Sequence, residues 1–224
     1  MINNRLTSWL WLLAVLVLPM SAGASPPSQS GLIGLLEVPH QWDQSSEDYR
    51  VDSSLAVYAD ANINSADQRV IHNLSDLETF EWSYEAPAAA VFGYHHDGEQ
   101  AWYQLGLEST GARGWVVASK QLNFHPLSEL VSESLAYLTG SWDKRVFSDV
   151  ADPATAKLLD VTGDEIPIEV AGTAMFEGQL WVLVVVMKQS QCWSSAAPQV
   201  LDVGWLPAHS ASGQLNIWYY SRGC

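Results

Sequence analysis

The chemistry open to this chain rests on few residues. His95, His96 and Asp97 bring two imidazoles and a carboxylate together, the donor types of a divalent metal site. Neighbouring residues of a strand point to opposite faces, however, and no His or Cys pair at ligand spacing stands elsewhere to complete a tetrahedron. With Gly98 behind it, Asp97 reads as a hairpin turn, because glycine supplies the positive φ that such turns need. Asp160-Val161-Thr162-Gly163-Asp164-Glu165 is acidic but lacks the alternating oxygen ligands of a calcium loop, so a solvated turn is expected. Cys192 and Cys224 are the only cysteines. A nucleophilic thiolate needs a neighbouring base, and His209 is the only histidine near them in sequence. An even pair in an exported chain predicts a disulfide instead, closing a loop of about 30 residues and contributing about 3–4 kcal/mol. There is no G-x-S-x-G elbow, no H-E-x-x-H and no phosphate-cradling glycine loop. Among 25 acidic residues some close carboxylate pairs are unavoidable, and spacing singles out none of them. The expectation is a protein that is not an enzyme and uses neither metal nor cofactor.

Recognition is the other chemistry to weigh. Trp42-Asp43 recurs as Trp142-Asp143, one hundred residues on. Such a tryptophan can pack where the opening segment meets the body of the module, with the aspartate starting a turn. It can also lie on an aromatic surface that receives a partner, since Trp and Tyr dominate binding hot spots. Tyr58 and Phe147 pose the same choice, with the core favoured for Phe147. Trp42, Tyr58 and Trp142 are thus the candidate ligand-binding residues.

The elements that must position these side chains follow from the rest of the chain. One charge, Arg5, precedes an apolar run from Trp9 to Leu18, which Ala22-Gly23-Ala24 closes. That order predicts a secretory signal over 1–24. The run is far shorter than the roughly 20 residues of a membrane span, so no stable span is expected once the signal is cleaved. Without Arg5, nine Lys and Arg face 25 Asp and Glu, a net charge of −16. So acidic a chain repels phosphate backbones, which argues against nucleic acid and anionic membrane surfaces.

An internal repeat organises what remains. Leu35, Val38, Trp42 and Asp43 return as Leu135, Leu138, Trp142 and Asp143. Val57-Tyr58-Ala59-Asp60 returns as Val146-Phe147-Ser148-Asp149, and Val70-Ile71 as Leu158-Leu159. Trp102-Tyr103-Gln104-Leu105 then answers Trp181-Val182-Leu183-Val184, and Gly114-Trp115-Val116 answers Gly204-Trp205-Leu206. The offset change leaves a polar insertion over 44–54 in the first copy. Alternation in 102–107 predicts a half-buried strand, and the unbroken apolar run Leu180–Met187 a strand buried on both faces. Pro207 points to a short or edge strand, and Leu215–Tyr220 to a final one. Pro126 is expected to open a short helix with Leu127, Leu130 and Val131 on one face, continuing to Leu135 and Leu138. Short strands and frequent turns place the chain in the all-β class, as small barrels.

The skeleton Leu55-Ala56-Val57-Tyr58, Val70-Ile71, Trp102-Tyr103-Gln104-Leu105 and Gly114-Trp115-Val116 resembles that of bacterial SH3 domains. The resemblance covers about 65 residues of the first copy and, more loosely, the second. It departs at the turn after the first strand, here Tyr58-Ala59-Asp60-Ala61, and at the insertion Lys188–Val203 of the second copy. It implies two SH3-like barrels in tandem, over 25–125 and 126–224, packed closely because no linker separates them. It further implies a binding module for an envelope protein or cell-wall fragment, in the periplasm or secreted. The acidic charge suggests an alternative, an inhibitor or immunity-type protein that neutralises a basic envelope enzyme.

Overall fold

The computed structural model describes residues 31–108, 111–190 and 198–222. The expected signal over 1–24, Cys192 and Cys224 lie outside them. Nine strands form a first sheet: β1 (Gly34–Glu37), β2 (His40–Asp43), β3 (Asp48–Tyr58), β4 (Gln68–Asn73), β5 (Thr79–Ser83), β6 (Ala86–His96), β7 (Ala101–Leu107), β8 (Ala112–Val117) and β9 (Asn123–Pro126). The helix α1 (Leu127–Ser132) leads to the second. That sheet holds β10 (Ala136–Leu138), β11 (Arg145–Phe147), β12 (Ala156–Leu158), β13 (Ile166–Phe176), β14 (Gln179–Met187), β15 (Val200–Pro207) and β16 (Ile217–Tyr219). The fold is all-β, two small sheet modules in tandem, one of them a curled half-barrel, and no helix among the described residues is long and apolar enough to cross a membrane.

The two sheets share one topology. The second runs β12-β11-β15-β14-β13-β10-β16, and the first runs β3-β8-β7-β6-β1-β9 with β4 beside β3 and with β2 and β5 added. The match extends to register. Trp102 opposes Val117 and Leu105 opposes Gly114, as Trp181 opposes Pro207 and Val184 opposes Gly204. A bulge falls between Val91 and Gly93, and its counterpart between Val170 and Gly172. Leu36 pairs Ala89 and Phe124; Ala136, one hundred residues on, pairs Ile168 and Tyr219. Val70 is 46% exposed beside a fully buried Ile71, and Leu158 is 69% exposed beside Leu159 at 8%.

A glycine makes each module's central crossing possible. β3 meets β8 at the pair Tyr58–Trp115, and β11 meets β15 at Phe147–Trp205. A Cβ on Gly114 would stand 2.3 Å from Val57 Cγ1, and one on Gly204 2.8 Å from Val146 Cβ. The residue before each tryptophan must therefore lack a side chain. The arriving ring then stands edge-on to the next strand's tryptophan, Tyr58 to Trp102 at 5.6 Å and Phe147 to Trp181 at 5.4 Å. Such pairs contribute about 0.5–1.5 kcal/mol beyond the area they bury.

Alternation along β1 and β6 joins the modules. Leu36, Ala89 and Val91 face the first module's own core, with Val57, Ile71 and Val116. Leu35, Ala88 and Ala90 face the other way, into one cluster with Leu138, Val184 and Ile217 of the second module. The strand buried on both faces is thus β6, where Ala88–Val91 are fully buried. In β14, expected to be that strand, Val182, Val184, Val186 and Met187 are buried, while Trp181, Leu183 and Val185 are partly exposed. Small alanines let the second module close over β6. Strand β5, without a counterpart among the described residues of the second sheet, fastens the contact. Phe80 stands edge-on to Trp218, and the Glu81 carbonyl accepts from Tyr219 Oη at 2.9 Å, while Trp82 stacks on His125 of the first sheet's own β9 at 4.3 Å. The Glu81 carboxylate takes Ser221 and Arg222, which hold it below the usual carboxylate range.

Two further expectations meet corrections. Helix α1 buries Leu127, Leu130 and Val131 but stops at Ser132, because β10 is needed between β13 and β16. Strand β15 is neither short nor an edge: eight residues long, it pairs both β14 and β11. Pro207 is its last residue, where a missing N–H interrupts nothing, and the next amide, of Ala208, donates to Leu180 at 2.8 Å. The polar insertion 44–54 is a hairpin turn plus the first half of β3.

Replacing Gly114 or Gly204 by alanine should cost about 1–3 kcal/mol through overpacking. Melting temperature falls by about 2–4 °C per kcal/mol in a chain of this size. Gly172→Ala, with open space around the new methyl, should change little. Thermal denaturation followed by circular dichroism checks all three; equal melting for G114A and wild type would refute the close crossing.

Candidate recognition surface

The eleven-residue strand β3 outruns the core, and its first half pairs only β2 and, at Arg50, the end of β4. The result is an arm. Asp43 builds its turn by accepting from the Ser45 amide at 2.9 Å and from its hydroxyl, and these bonds lower the Asp43 pKa. Glu47 takes the left-handed conformation at φ 51°. Pairing sets His40 opposite Val51 and Trp42 opposite Tyr49, all on one face by the period-two rule. Val51 is buried in the first core, and Tyr49 packs against that core's rim. Beyond it Trp42 is 56% exposed, its ring edge-on to Tyr49 at 5.0 Å, with His40 edge-on to Tyr49 at 4.9 Å. The arm is a stripe of core-type residues carried past the core, so its last ring is presented to solvent. The hairpin that carries it holds Asp43, Glu47, Asp48 and Asp52 against the single cation Arg50.

The other candidates sit elsewhere. Trp142 is 5% exposed inside the shared core, its Nε1 donating to the Arg145 carbonyl at 2.9 Å. Tyr58 is 9% exposed, at the far end of β3 from Trp42 and turned onto Trp102. The structure does not bring the three rings together, and Trp42 alone offers a surface. Their aspartates do behave alike, because Asp143 accepts from the Arg145 amide at 3.1 Å as Asp43 does from Ser45.

His95 and His96 close β6, and Asp97 organises the turn that follows. Asp97 Oδ1 accepts from the amides of Glu99 at 2.9 Å and Gln100 at 2.8 Å, and Oδ2 from Trp102 Nε1 at 3.2 Å. These bonds, the Gln100 amide first, bring its pKa down to about 2. Trp181, the counterpart of Trp102, meets no such aspartate among the described residues, and its buried Nε1 has no hydrogen-bond partner among them. Residues 160–165 form an irregular turn, with Gly163 at φ 117°. Among the described residues no three His, Cys, Asp or Glu side chains converge as metal ligands do.

One further concavity was not legible in the sequence. A cleft of about 470 Å³ opens between the modules, walled by Phe124, Pro126 and Leu127 from one side and Gln179, Leu180 and His209 from the other. These residues lie in segments far apart in the chain, and only His209 carried any local signal of chemistry. Compared with family models, with curated proteins and with solved structures, the chain matches none.

Two measurements test these placements. Trp142→Ala should cost about 3–5 kcal/mol in urea denaturation, against under about 1 kcal/mol for Trp42→Ala. Asp97 contributes stability above its unfolded pKa of about 4, and loses it as pH falls towards 2. The melting difference between wild type and Asp97→Asn should therefore be constant above pH 5 and shrink between pH 4 and 2.

Proposed function

We propose that this chain is an exported, non-catalytic recognition protein of two bacterial-SH3-like modules, which receives a protein or cell-wall fragment of the envelope on the Trp42 arm. The observation that carries the reading is the exposed Trp42 ring, braced by Tyr49 and His40 on a hairpin with no counterpart among the described residues of the second module. A rigid aromatic with a supported edge gives contact area at little entropic cost, which is the usual make-up of a hot spot. The SH3-like assignment is supported by the Gly-Trp pairs, by the short meander β6-β7-β8 and its repeat β13-β14-β15, and by the last strand lying beside the first in both modules. The apolar run and small-residue site at the N-terminus support export to the periplasm or beyond. No cofactor enters the reading.

A second reading is favoured by the carboxylates around Trp42. With a chain charge of −15 before any cleavage, the arm suits a basic protein, as an inhibitor of a cationic envelope enzyme would.

The test is an affinity pull-down from envelope extract with wild type and Trp42→Ala, at low and high salt. A partner or wall fragment retained at high salt and lost with Trp42→Ala supports recognition through the ring. A basic partner lost at high salt supports the inhibitor. Equal capture by both proteins rules out the arm.

A further inference from the structure

Neither module alone encloses the cleft between them; packing one against the other creates it. From the first module's end come Phe124 on β9 and Leu127 and Ser128 at the start of α1; from the second come Gln179 and Leu180 at the start of β14, and His209 after β15. Its volume of about 470 Å³ lies within the range of small-molecule sites. The walls are fixed. Phe124 stacks on Tyr103 at 5.0 Å, and Leu127 is buried at the head of the helix. Neither can collapse into the space without giving up contacts made elsewhere.

The polar groups along this wall are few, and their donor and acceptor roles can be assigned. His209 Nε2 lies 2.9 Å from the carbonyl oxygen of Leu32. A carbonyl only accepts, so Nε2 carries the proton. Burial lowers the pKa of the ring and keeps it neutral, which leaves Nδ1 as an acceptor. Nδ1 has no hydrogen-bond partner among the described residues. Gly31, at φ 133°, holds the ring in place: a Cβ there would come within 2.7 Å of His209 Cδ2. Gln179 donates its Nε2 to the His209 carbonyl at 3.3 Å, so Oε1 is a second acceptor. None of the lining residues carries a formal charge, in a chain that holds 25 acids.

We infer that this cleft binds a small, uncharged, largely apolar molecule whose one hydrogen-bond donor meets the acceptors of His209 and Gln179. The hydrocarbon body lies against Phe124, Leu127 and Leu180. The site is separate from the Trp42 arm and stands or falls independently of it.

N-Phenyl-1-naphthylamine, apolar and uncharged with a single N–H, is the probe, because its fluorescence rises when it leaves water. Titrated into the purified protein it should give saturable enhancement with one site per chain. Ser128→Trp or Ala211→Trp, each placing an indole at the mouth, should abolish the signal while melting temperature holds. His209→Phe, which keeps the volume and removes the acceptor, should weaken binding about tenfold, the worth of one hydrogen bond. Trp42→Ala should leave the titration unchanged. Enhancement that never saturates, or that survives either filling variant in a folded protein, overturns the assignment.

Discussion

At Gly114 and Gly204 the protein has no side chain where almost any would collide with an incoming strand. The rest of each module depends on that vacancy. It lets Val57 and Val146 reach the core across β8 and β15, and it sets Tyr58 and Phe147 edge-on to Trp102 and Trp181. The tryptophan that follows each glycine is held by the same crossing, since it forms the single pair that joins the arriving strand to the meander. One missing methyl and one aromatic pair thus fix how the arriving strand crosses the meander in each module.

The second constraint is shared burial. Most sheet faces in a small β protein meet their own core or water. Here β1 and β6 meet two cores, with Leu36 and Val91 on one side and Leu35 and Ala90 on the other. The modules are therefore one packed body, and β5 with its Phe80–Trp218 and Glu81–Arg222 contacts closes the seam. A consequence is that surfaces at the seam belong to neither repeat. The cleft beside His209 is such a surface, and so is the clasp around Glu81.

Much of the architecture was legible because the repeat was. The repeated blocks, Val57 with Val146, Val70 with Leu158, Trp102 with Trp181 and Trp115 with Trp205, fall at equivalent places in the two ladders. Local physics carries these signals: alternation marks a strand, Asp97-Gly98 marks a turn, and glycine before tryptophan marks a crossing. The bulge at Gly93 and Gly172 leaves no such signal, because a bulge breaks the period that marks a strand. The alanines of β6 leave none either, since alanine is a weak strand former whose value here is its small size.

The candidate site was only partly legible. Trp42-Asp43 and Trp142-Asp143 are identical dipeptides with like-behaving aspartates, yet one indole faces solvent and the other is sealed. The difference lies in the eleven residues that follow Trp42, which lengthen β3 and carry its partner strand away from the core. By itself the sequence determined the strands, the turns and the duplication, because those depend on neighbours a few residues away. Tertiary structure alone decided which tryptophan is exposed, which strand is buried twice and where a cleft opens. Burial is set by whatever packs on from far along the chain, and no local pattern records that.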